Sequence, residues 1–225
     1  MRKILMLSIL LVMPLFCFAQ EVGIQKNEKD AIKDILLKMK NIGSVRYTAV
    51  ETYSTQESTK EPKSSSIARK VFGKQPFWKI ETKSQFGNSE TIIRPEGSYL
   101  GASNDNNPKQ YLKMPSSREA ITFAELAEQI ESSQTVKLLG TEIVDGQEAI
   151  VVKIDIKPTQ PVSIEKKIWI WKESGIPARI EFKSRYKDVL TILRIENKDF
   201  VFGDIPDSIF EIPKDQIKDL LPSSK

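Results

Sequence analysis

The amino-acid sequence predicts an α+β protein dominated by one long antiparallel sheet. Two stretches have the apolar spacing of amphipathic helices, and most of the remainder alternates with the period of two that strands show. The turn residues Asp145 and Gly146 join two such strands directly, which is a strong hairpin signal. With 225 residues and no internal repeat, the chain is long enough for one sizeable core, and we expect a single domain over residues 20–225.

The N-terminus has the features of a secretory signal peptide. Two basic residues follow Met1, and an apolar run then ends at Ala19. Small residues at Cys17 and Ala19 predict cleavage after Ala19, so that residues 1–19 are removed and the exported chain begins at Gln20. The run is too short for a bilayer span of about 20 residues, which disfavours an uncleaved anchor. Phe16 disfavours lipidation of the cysteine that follows it.

Composition excludes several kinds of chemistry. The chain has no histidine, and its single cysteine falls in the predicted signal peptide. Ser-His-Asp and Cys-His nucleophiles and zinc sites with His or Cys ligands are therefore excluded, and we expect no cofactor, no metal and no enzyme. A formal net charge of +4, from 34 basic and 30 acidic residues, does not indicate a nucleic-acid surface.

The first half predicts a helix followed by strands. A helix fits Glu28–Lys40, where Ile32, Ile35, Leu36 and Met39 form one apolar stripe, and Gly43 is the predicted helix stop. A polar loop over residues 54–66 separates the first two strands. The predicted strands begin at Val45 and after Pro76 and otherwise cover Ile67–Phe72, Thr91–Arg94, Ser98–Leu100 and Gln110–Met114.

The second half predicts a helix and then a meander of strands. Ser116 and Glu119 resemble a capping box, which starts the helix at Ser116 and carries it to about Glu131. The predicted strands that follow are Val136–Val144, Gln147–Ile156, Ile164–Lys172, Ala178–Tyr186, Val189–Glu196 and Phe200–Phe202.

Alternation along these strands predicts which side chains face a covered apolar surface. The stretch from Ile168 to Trp171 is apolar on both sides, so it indicates either a central strand covered on both faces or the wall of a cavity. For this reason, alternation does not decide whether Trp169 faces the covered surface. If this covered surface bounds a cavity rather than a close-packed core, the predicted apolar ligand-binding residues are Tyr47, Trp78, Ile80, Val152, Ile154, Trp169, Ile180 and Phe182.

Three segments carry a family resemblance: Val136–Ala149, Trp169–Pro177 and Asp207–Pro213. Together they resemble the lipoprotein-sorting family related to LolA-type periplasmic carriers. The resemblance implies an unclosed half-barrel, a curved antiparallel sheet whose hydrophobic concave face is covered by helices. It also implies a monomer that binds lipid or lipoprotein acyl chains, with an inner-membrane donor complex and an outer-membrane acceptor as partners.

The chain departs from the carrier pattern at Gln75. In dedicated carriers an arginine commonly precedes the proline that starts the third strand, and it helps to hold the helical lid. Here Gln75 precedes Pro76, and its side chain can form hydrogen bonds but carries no charge. The resemblance therefore assigns Gln75 as the lid contact.

Other polar residues have mainly structural interpretations. Glu125 and Glu128 share a helix face that we expect to be solvated, and Asp204 and Asp207 fit turn chemistry. The basic side chains Lys166, Lys167, Lys183 and Arg185 are expected on the wet side of their strands, and the alternative is contact with acidic lipid headgroups. Two functions follow: a periplasmic carrier of lipid or lipoprotein, or, alternatively, a lipid-sensing regulatory module of the RseB type that acts through a protein partner.

Overall fold

A computed structural model gives the fold of the chain. It describes residues 30, 32–72, 75–84, 87–102, 109–114, 121–133, 135–156 and 162–219. The predicted signal peptide lies outside these residues and stays a prediction. Within this part of the chain, no helix is both long and apolar enough to cross a membrane.

One sheet of 12 strands forms the body of the molecule. Its strands are β1 Val45–Thr55, β2 Lys63–Phe72, β3 Gln75–Ser84, β4 Gly87–Arg94, β5 Gly97–Ala102, β6 Gln110–Met114, β7 Val136–Val144, β8 Gln147–Ile156, β9 Val162–Trp171, β10 Pro177–Tyr186, β11 Val189–Phe202 and β12 Ile217–Asp219. The helices are α1 (residues 32–40, with residue 30 also helical) and α2 (Phe123–Ser132), and two short 3-10 helices cover Asp207–Phe210 and Lys214–Gln216.

The strand order is β12-β6-β5-β4-β3-β2-β1-β11-β10-β9-β8-β7. The neighbours pair antiparallel except for β12, which runs parallel to β6. The sheet is curved. It does not close into a barrel, because β12 and β7 remain as its two edges. The predicted unclosed antiparallel sheet is confirmed, whereas its short parallel strand β12 was not predicted.

Each of the two α-helices buries one apolar stripe of side chains. In α1 the stripe from Ile32 to Met39 is buried, as predicted. The start of α2 differs from the prediction, because Thr122 is its N-cap and Glu125 completes the capping box. The sequence contains this second capping pattern immediately before the apolar residues that become buried, and Ser116 lies outside the described residues.

Both helices pack against the same side of the sheet. Side chains from α1, α2 and strands β1, β7, β8 and β9 form one buried cluster. Its members with the least exposure include Met39, Ala127, Val152, Ile168 and Ile170, each 0% exposed. This cluster places the main core between the helices and the half of the sheet that contains β7–β9.

Strand β9 is covered on both faces. Ile168 and Ile170 belong to the cluster under the helices, whereas Trp169 and Trp171 belong to a second cluster with Ala149, Val151 and Ala178. The stretch from Ile168 to Trp171 is therefore part of a central strand that is covered on both faces.

The turn between β9 and β10 lies directly against α1. Gly175 has φ +73°, and a Cβ atom placed on it would lie 2.7 Å from the backbone nitrogen of Met39. Lys38 reaches the same turn, since its Nζ donates to the carbonyl of Lys172 at 3.1 Å. The glycine allows the helix and the turn to approach this closely.

Candidate functional site

Strand pairing shows which side chains share a face of the sheet, because residues opposite each other in neighbouring strands point to the same side. Val152 and Ile180 both lie opposite Ile168, and Tyr47 and Ile80 flank the same residue of β2. We call the side that packs against α1 and α2 the helix face. It carries the predicted residues Tyr47, Trp78, Ile80, Val152, Ile154, Ile180 and Phe182.

Trp169 lies on the other face, which corrects its inclusion in the predicted set. Ile168 and Ile170 take the positions under the helices, so period-two alternation turns Trp169 away from them. Its indole Nε1 donates to Oε2 of Glu142 at 2.8 Å. Trp169 is thus part of the second cluster.

Burial divides the helix face into a closed part and an open part. Tyr47, Trp78, Val152 and Ile154 are all buried, with at most 7% exposure. Ile80, Ile180 and Phe182 are only half-buried.

The half-buried residues connect to three exposed apolar side chains. Leu100 on β5 is in register with Ile80 on β3, with β4 between them, and Leu112 on β6 lies opposite Leu100. Tyr53 on β1 is in register with Phe182 on β10, with β11 between them. Leu100 is 36% exposed, and Leu112 and Tyr53 are each 38% exposed. We call Ile80, Leu100, Leu112, Tyr53 and Phe182 the open floor. They form two groups at different levels along the strands, because Ile80 is in register with Tyr47, whereas Tyr53 lies six residues further along β1. Exposed apolar side chains that adjoin half-buried ones are typical of a binding surface.

The sequence interpretation did not select Leu100 or Leu112. Their chain neighbours Tyr99 and Tyr111 are also apolar, and they are buried on the opposite face in a third cluster with Ile92. Because both faces of β5 and β6 carry large apolar side chains, alternation alone gives no contrast between the two sides.

A buried arginine links the sheet to both helices. Arg69 on β2 is 1% exposed, and its Nη2 donates to the carbonyl oxygen of Gly43 at 2.8 Å and to that of Ile42. The guanidinium lies 4.8 Å from the ring centre of Phe123 and 5.7 Å from that of Trp78. It therefore contacts the segment after α1, the first residue of α2 and the neighbouring strand. The sequence interpretation missed this residue.

The environment of Arg69 is apolar apart from these carbonyls. Its Nε finds no hydrogen-bond partner among the residues that the structure describes. Burial lowers the pKa of Arg69. The nearby Tyr47 raises this pKa, but by less than burial lowers it. Burial likewise raises the pKa of the Tyr47 phenol to about 12. Arg69 stays charged at neutral pH because the unperturbed pKa of arginine is so high.

A second cation is buried on the helix face, where the sequence analysis expected a solvated lysine. Lys166 is 5% exposed, because it shares the alternation of Ile168 and therefore points towards the helices. Its Nζ donates to Oε1 of Gln129 on α2 at 3.3 Å and lies 5.3 Å from the ring centre of Phe182. Burial lowers its pKa to about 8. Lys167 points to the opposite face, where its Nζ lies 3.7 Å from Oε1 of Glu165.

The predicted lid contact remains a prediction. Gln75 opens β3 and pairs with Phe72 through the backbone, but its side chain lies outside the described set. The described contact between sheet and helices in this region is made instead by Arg69, one strand away.

The carboxylates near the C-terminus have a structural role. Lys70 Nζ lies 3.0 Å from Oδ1 of Asp204 and 2.7 Å from Oδ1 of Asp207, and it also donates to the carbonyl of Ile205 at 2.7 Å. These contacts fix the C-terminal segment to β2. A search of the described residues finds no group of three or more His, Cys, Asp or Glu side chains placed to hold a metal.

Comparison with known proteins defines the fold. No family model and no curated protein sequence matches the chain. Among solved structures, MucB matches with a TM-score of 0.52 and 12% identity, over 84% of this chain and 64% of that chain. LprF from Mycobacterium bovis matches with a TM-score of 0.51 and 14% identity, over 80% of this chain and 96% of that chain.

A LolA superfamily protein from Nitrosomonas europaea is also similar, with 14% identity over 80% of this chain and 97% of that chain, at a TM-score of 0.38. The two matches with TM-scores above 0.5, MucB and LprF, show that the chain shares their fold, and the resemblance in the sequence is confirmed at the level of the fold.

Proposed function

We propose that the protein is an exported, non-catalytic carrier that binds lipid, or the acyl chains of lipoproteins, on the helix face of its sheet. The observation that supports this proposal is the open floor. Its half-buried and exposed apolar residues continue directly from the buried core under α1 and α2. Apolar side chains beside a helix-covered core are suited to holding an apolar ligand.

In this proposal the two helices act as a cover over the concave face. Arg69 holds the cover in place through its contacts with Ile42, Gly43 and Phe123. Carbonyl and ring contacts of this kind are individually modest, so a ligand that packs under the helices can displace them. The predicted ligand contacts of Tyr47 and Val152 then lie at the closed end of the site.

The apolar surface is sufficient for useful affinity. An acyl chain gains about 0.8 kcal/mol for each CH₂ group that leaves water. Ten buried methylenes give about 8 kcal/mol before the cost of ordering, which corresponds to about micromolar binding.

The proposed location follows from the N-terminal sequence. Export and cleavage after Ala19 would deliver a periplasmic protein beginning at Gln20, with residues 20–225 as one lipid-binding domain. Its partners would be an inner-membrane donor complex and an outer-membrane acceptor. N-terminal sequencing of exported material tests this route, and a mature start at a lipidated Cys17 would contradict it.

A regulatory module of the RseB type is the second candidate. MucB, which shares the fold, has been crystallised in complex with MucA(peri), at a TM-score of 0.50 to this chain. A pull-down from membranes separates the two functions. Lipid or lipoprotein cargo supports the carrier, whereas recovery of a transmembrane regulator supports the module.

Ligand titration tests the shared part of the proposal. Delipidated protein is titrated with a single-chain lipid below its micelle concentration, with tryptophan emission and unfolding temperature as readouts. A binding site predicts a saturable emission change and a raised unfolding midpoint. Ile80→Trp, which fills space on the open floor, should weaken binding more than it weakens stability. If no lipid changes either signal, the carrier proposal fails.

A further inference from the structure

Lys166 differs in its partners from the two buried acids, Glu90 and Glu181. Glu90 lies 2.7 Å from the Nζ of Lys109, and Glu181 lies 2.8 Å from Nη2 of Arg194, so both acids are paired with cations. For Lys166 the described residues supply one amide oxygen and an aromatic ring, but no carboxylate. A buried ammonium without a counter-charge is costly, which makes it a candidate binding group.

The elements packed around Lys166 leave its charge uncompensated. Strand β8 places Ile154 opposite it, strand β10 places Phe182 opposite it, and α2 contributes Gln129. The charged neighbours along the chain, Glu165 and Lys167, point to the other face, where both are in ion-pair contacts. Among the described side chains that lie opposite Lys166 or contact it, the amide of Gln129 is therefore the only polar group.

Lys166 also lies at the boundary between the closed part of the helix face and the open floor. On one side are Ile154 and Ile168, which are buried. On the other side is Phe182, a half-buried member of the open floor whose ring centre lies 5.3 Å from Nζ. A chain that lies on the open floor and ends at Phe182 would bring its terminal group to this ammonium.

We propose that Lys166 binds the carboxylate of a free fatty acid whose hydrocarbon chain lies on the open floor. This inference rests on the proposed function and names the ligand class. One carboxylate neutralises one ammonium, whereas a dianionic phosphate monoester would leave a net negative charge in apolar surroundings. Gln129 assists the binding of the carboxylate. Its amide NH₂ can donate to a carboxylate oxygen while its Oε1 still accepts from the Lys166 ammonium.

The charge pairing sets an expected selectivity. A hydrogen bond to a charged group in an apolar environment favours the anionic ligand over an uncharged analogue of equal chain length by about ten- to a hundredfold. Removing the ammonium should abolish this selectivity. Affinity for the uncharged analogue should stay about the same, because its apolar contacts are retained.

The experiment measures affinities of the delipidated, exported protein for palmitate, 1-hexadecanol and hexadecyl phosphate, each below the concentration at which it aggregates or precipitates. The variants are Lys166→Met, Lys166→Arg and the matched control Lys167→Met, which removes a neighbouring charge from the opposite face. Thermal unfolding of each variant verifies that it is folded. We expect palmitate to bind the native protein about tenfold or more tighter than 1-hexadecanol. Only Lys166→Met should lose that preference.

Several results would overturn the inference. Equal affinities of the native protein for palmitate and 1-hexadecanol would exclude the carboxylate contact while leaving the proposed function intact. Tighter binding of hexadecyl phosphate than of palmitate would exclude the fatty-acid assignment. The same loss of preference in Lys167→Met would show that net charge is responsible. Failure of all three compounds to bind would overturn both this inference and the proposed function.

Discussion

The guanidinium carbon of Arg69 lies 4.8 Å from the ring centre of Phe123, so a residue in the middle of β2 stacks on the first residue of α2. The same guanidinium donates to the carbonyls of Ile42 and Gly43, which follow α1. A single side chain thus connects one strand to both helical elements. Movement of either helix away from β2 requires these contacts to break.

We expect Arg69→Met to speed the entry of a fluorescent fatty acid, because the helices lose their common attachment to β2. The free energy of unfolding should change little, since losing two hydrogen bonds of about 1 kcal/mol each is offset by removing a buried charge. Stopped-flow fluorescence measures the entry rate. Arg46→Met on β1, where the side chain is exposed, is the control. An unchanged rate in Arg69→Met would show that Arg69 does not restrain the helices.

Gly175→Ala should destabilise the protein by about 2–4 kcal/mol, through left-handed strain and overpacking against α1. Its φ is +73°, and the added Cβ would lie 2.7 Å from the nitrogen of Met39 and 2.9 Å from the carbonyl oxygen of Ile35. Gly146→Ala is a matched control, because its φ is +77° and nothing lies within 4 Å of its Cβ position. The control should lose only about 1–2 kcal/mol. Denaturant unfolding measures both, and equal losses would contradict the steric contribution.

Glu90 makes the protein sensitive to acid. Burial opposes its ionisation, but hydrogen bonds from Lys109, Tyr111 and Lys79 outweigh burial and lower the pKa of Glu90 to about 2 from the usual 4.5. A lowered folded-state pKa stabilises the protein above pH 4.5, and this stabilisation is lost as the pH falls towards 2.

Glu90→Gln should therefore reduce stability at neutral pH by about 1–3 kcal/mol. It should also flatten the fall in stability between pH 4.5 and pH 2. Urea unfolding across this pH range is the measurement, with Glu61→Gln at an exposed position as the control. An acid profile identical to that of the native protein would rule out Glu90 as the responsible group.

Lys166→Met should stabilise the ligand-free protein at neutral pH. Burial lowers the folded-state pKa of Lys166 to about 8 from 10.5, so holding it charged in the folded state costs free energy below pH 8. Among the described residues, Ile154 and Phe182 lie opposite Lys166 and Gln129 accepts its hydrogen bond, and none of these three side chains titrates.

The gain should be about 1–3 kcal/mol at pH 7. It should shrink as the pH rises from 8 to 10.5, because the native lysine then folds in its neutral form. Unfolding curves at several pH values measure this, with Lys167→Met as the control. A gain that does not depend on pH would point to packing rather than to charge.

Local patterning predicted much of the fold. The bounds of β6, β7 and β8 agree with the prediction residue by residue, because turn residues such as Asp145 and Gly146 delimit clear alternating runs. Strand β11 is longer than predicted, since it continues from Glu196 to Phe202 through polar residues whose pairing with β1 decides their conformation. That pairing depends on distant sequence and is not visible in a local window.

The candidate site was harder to predict than the fold. The shared face of Tyr47, Val152 and Ile180 follows from alternation within each strand. The burial of Arg69 and Lys166 does not, because the sequence pattern treats charged residues as solvated unless something covers them. In both cases the cover comes from a helix that is remote in sequence, so only the tertiary arrangement reveals it.

The pairing of β1 with β11 determines when the continuous helix face forms during folding. Val45 lies opposite Phe202 and Thr55 lies opposite Thr191, so these partners are separated by most of the chain. Contacts between such distant segments form slowly and late in folding. A chain that is still being synthesised lacks the strand that joins the two halves of the sheet. It therefore has no continuous helix face until the C-terminal strands have been added.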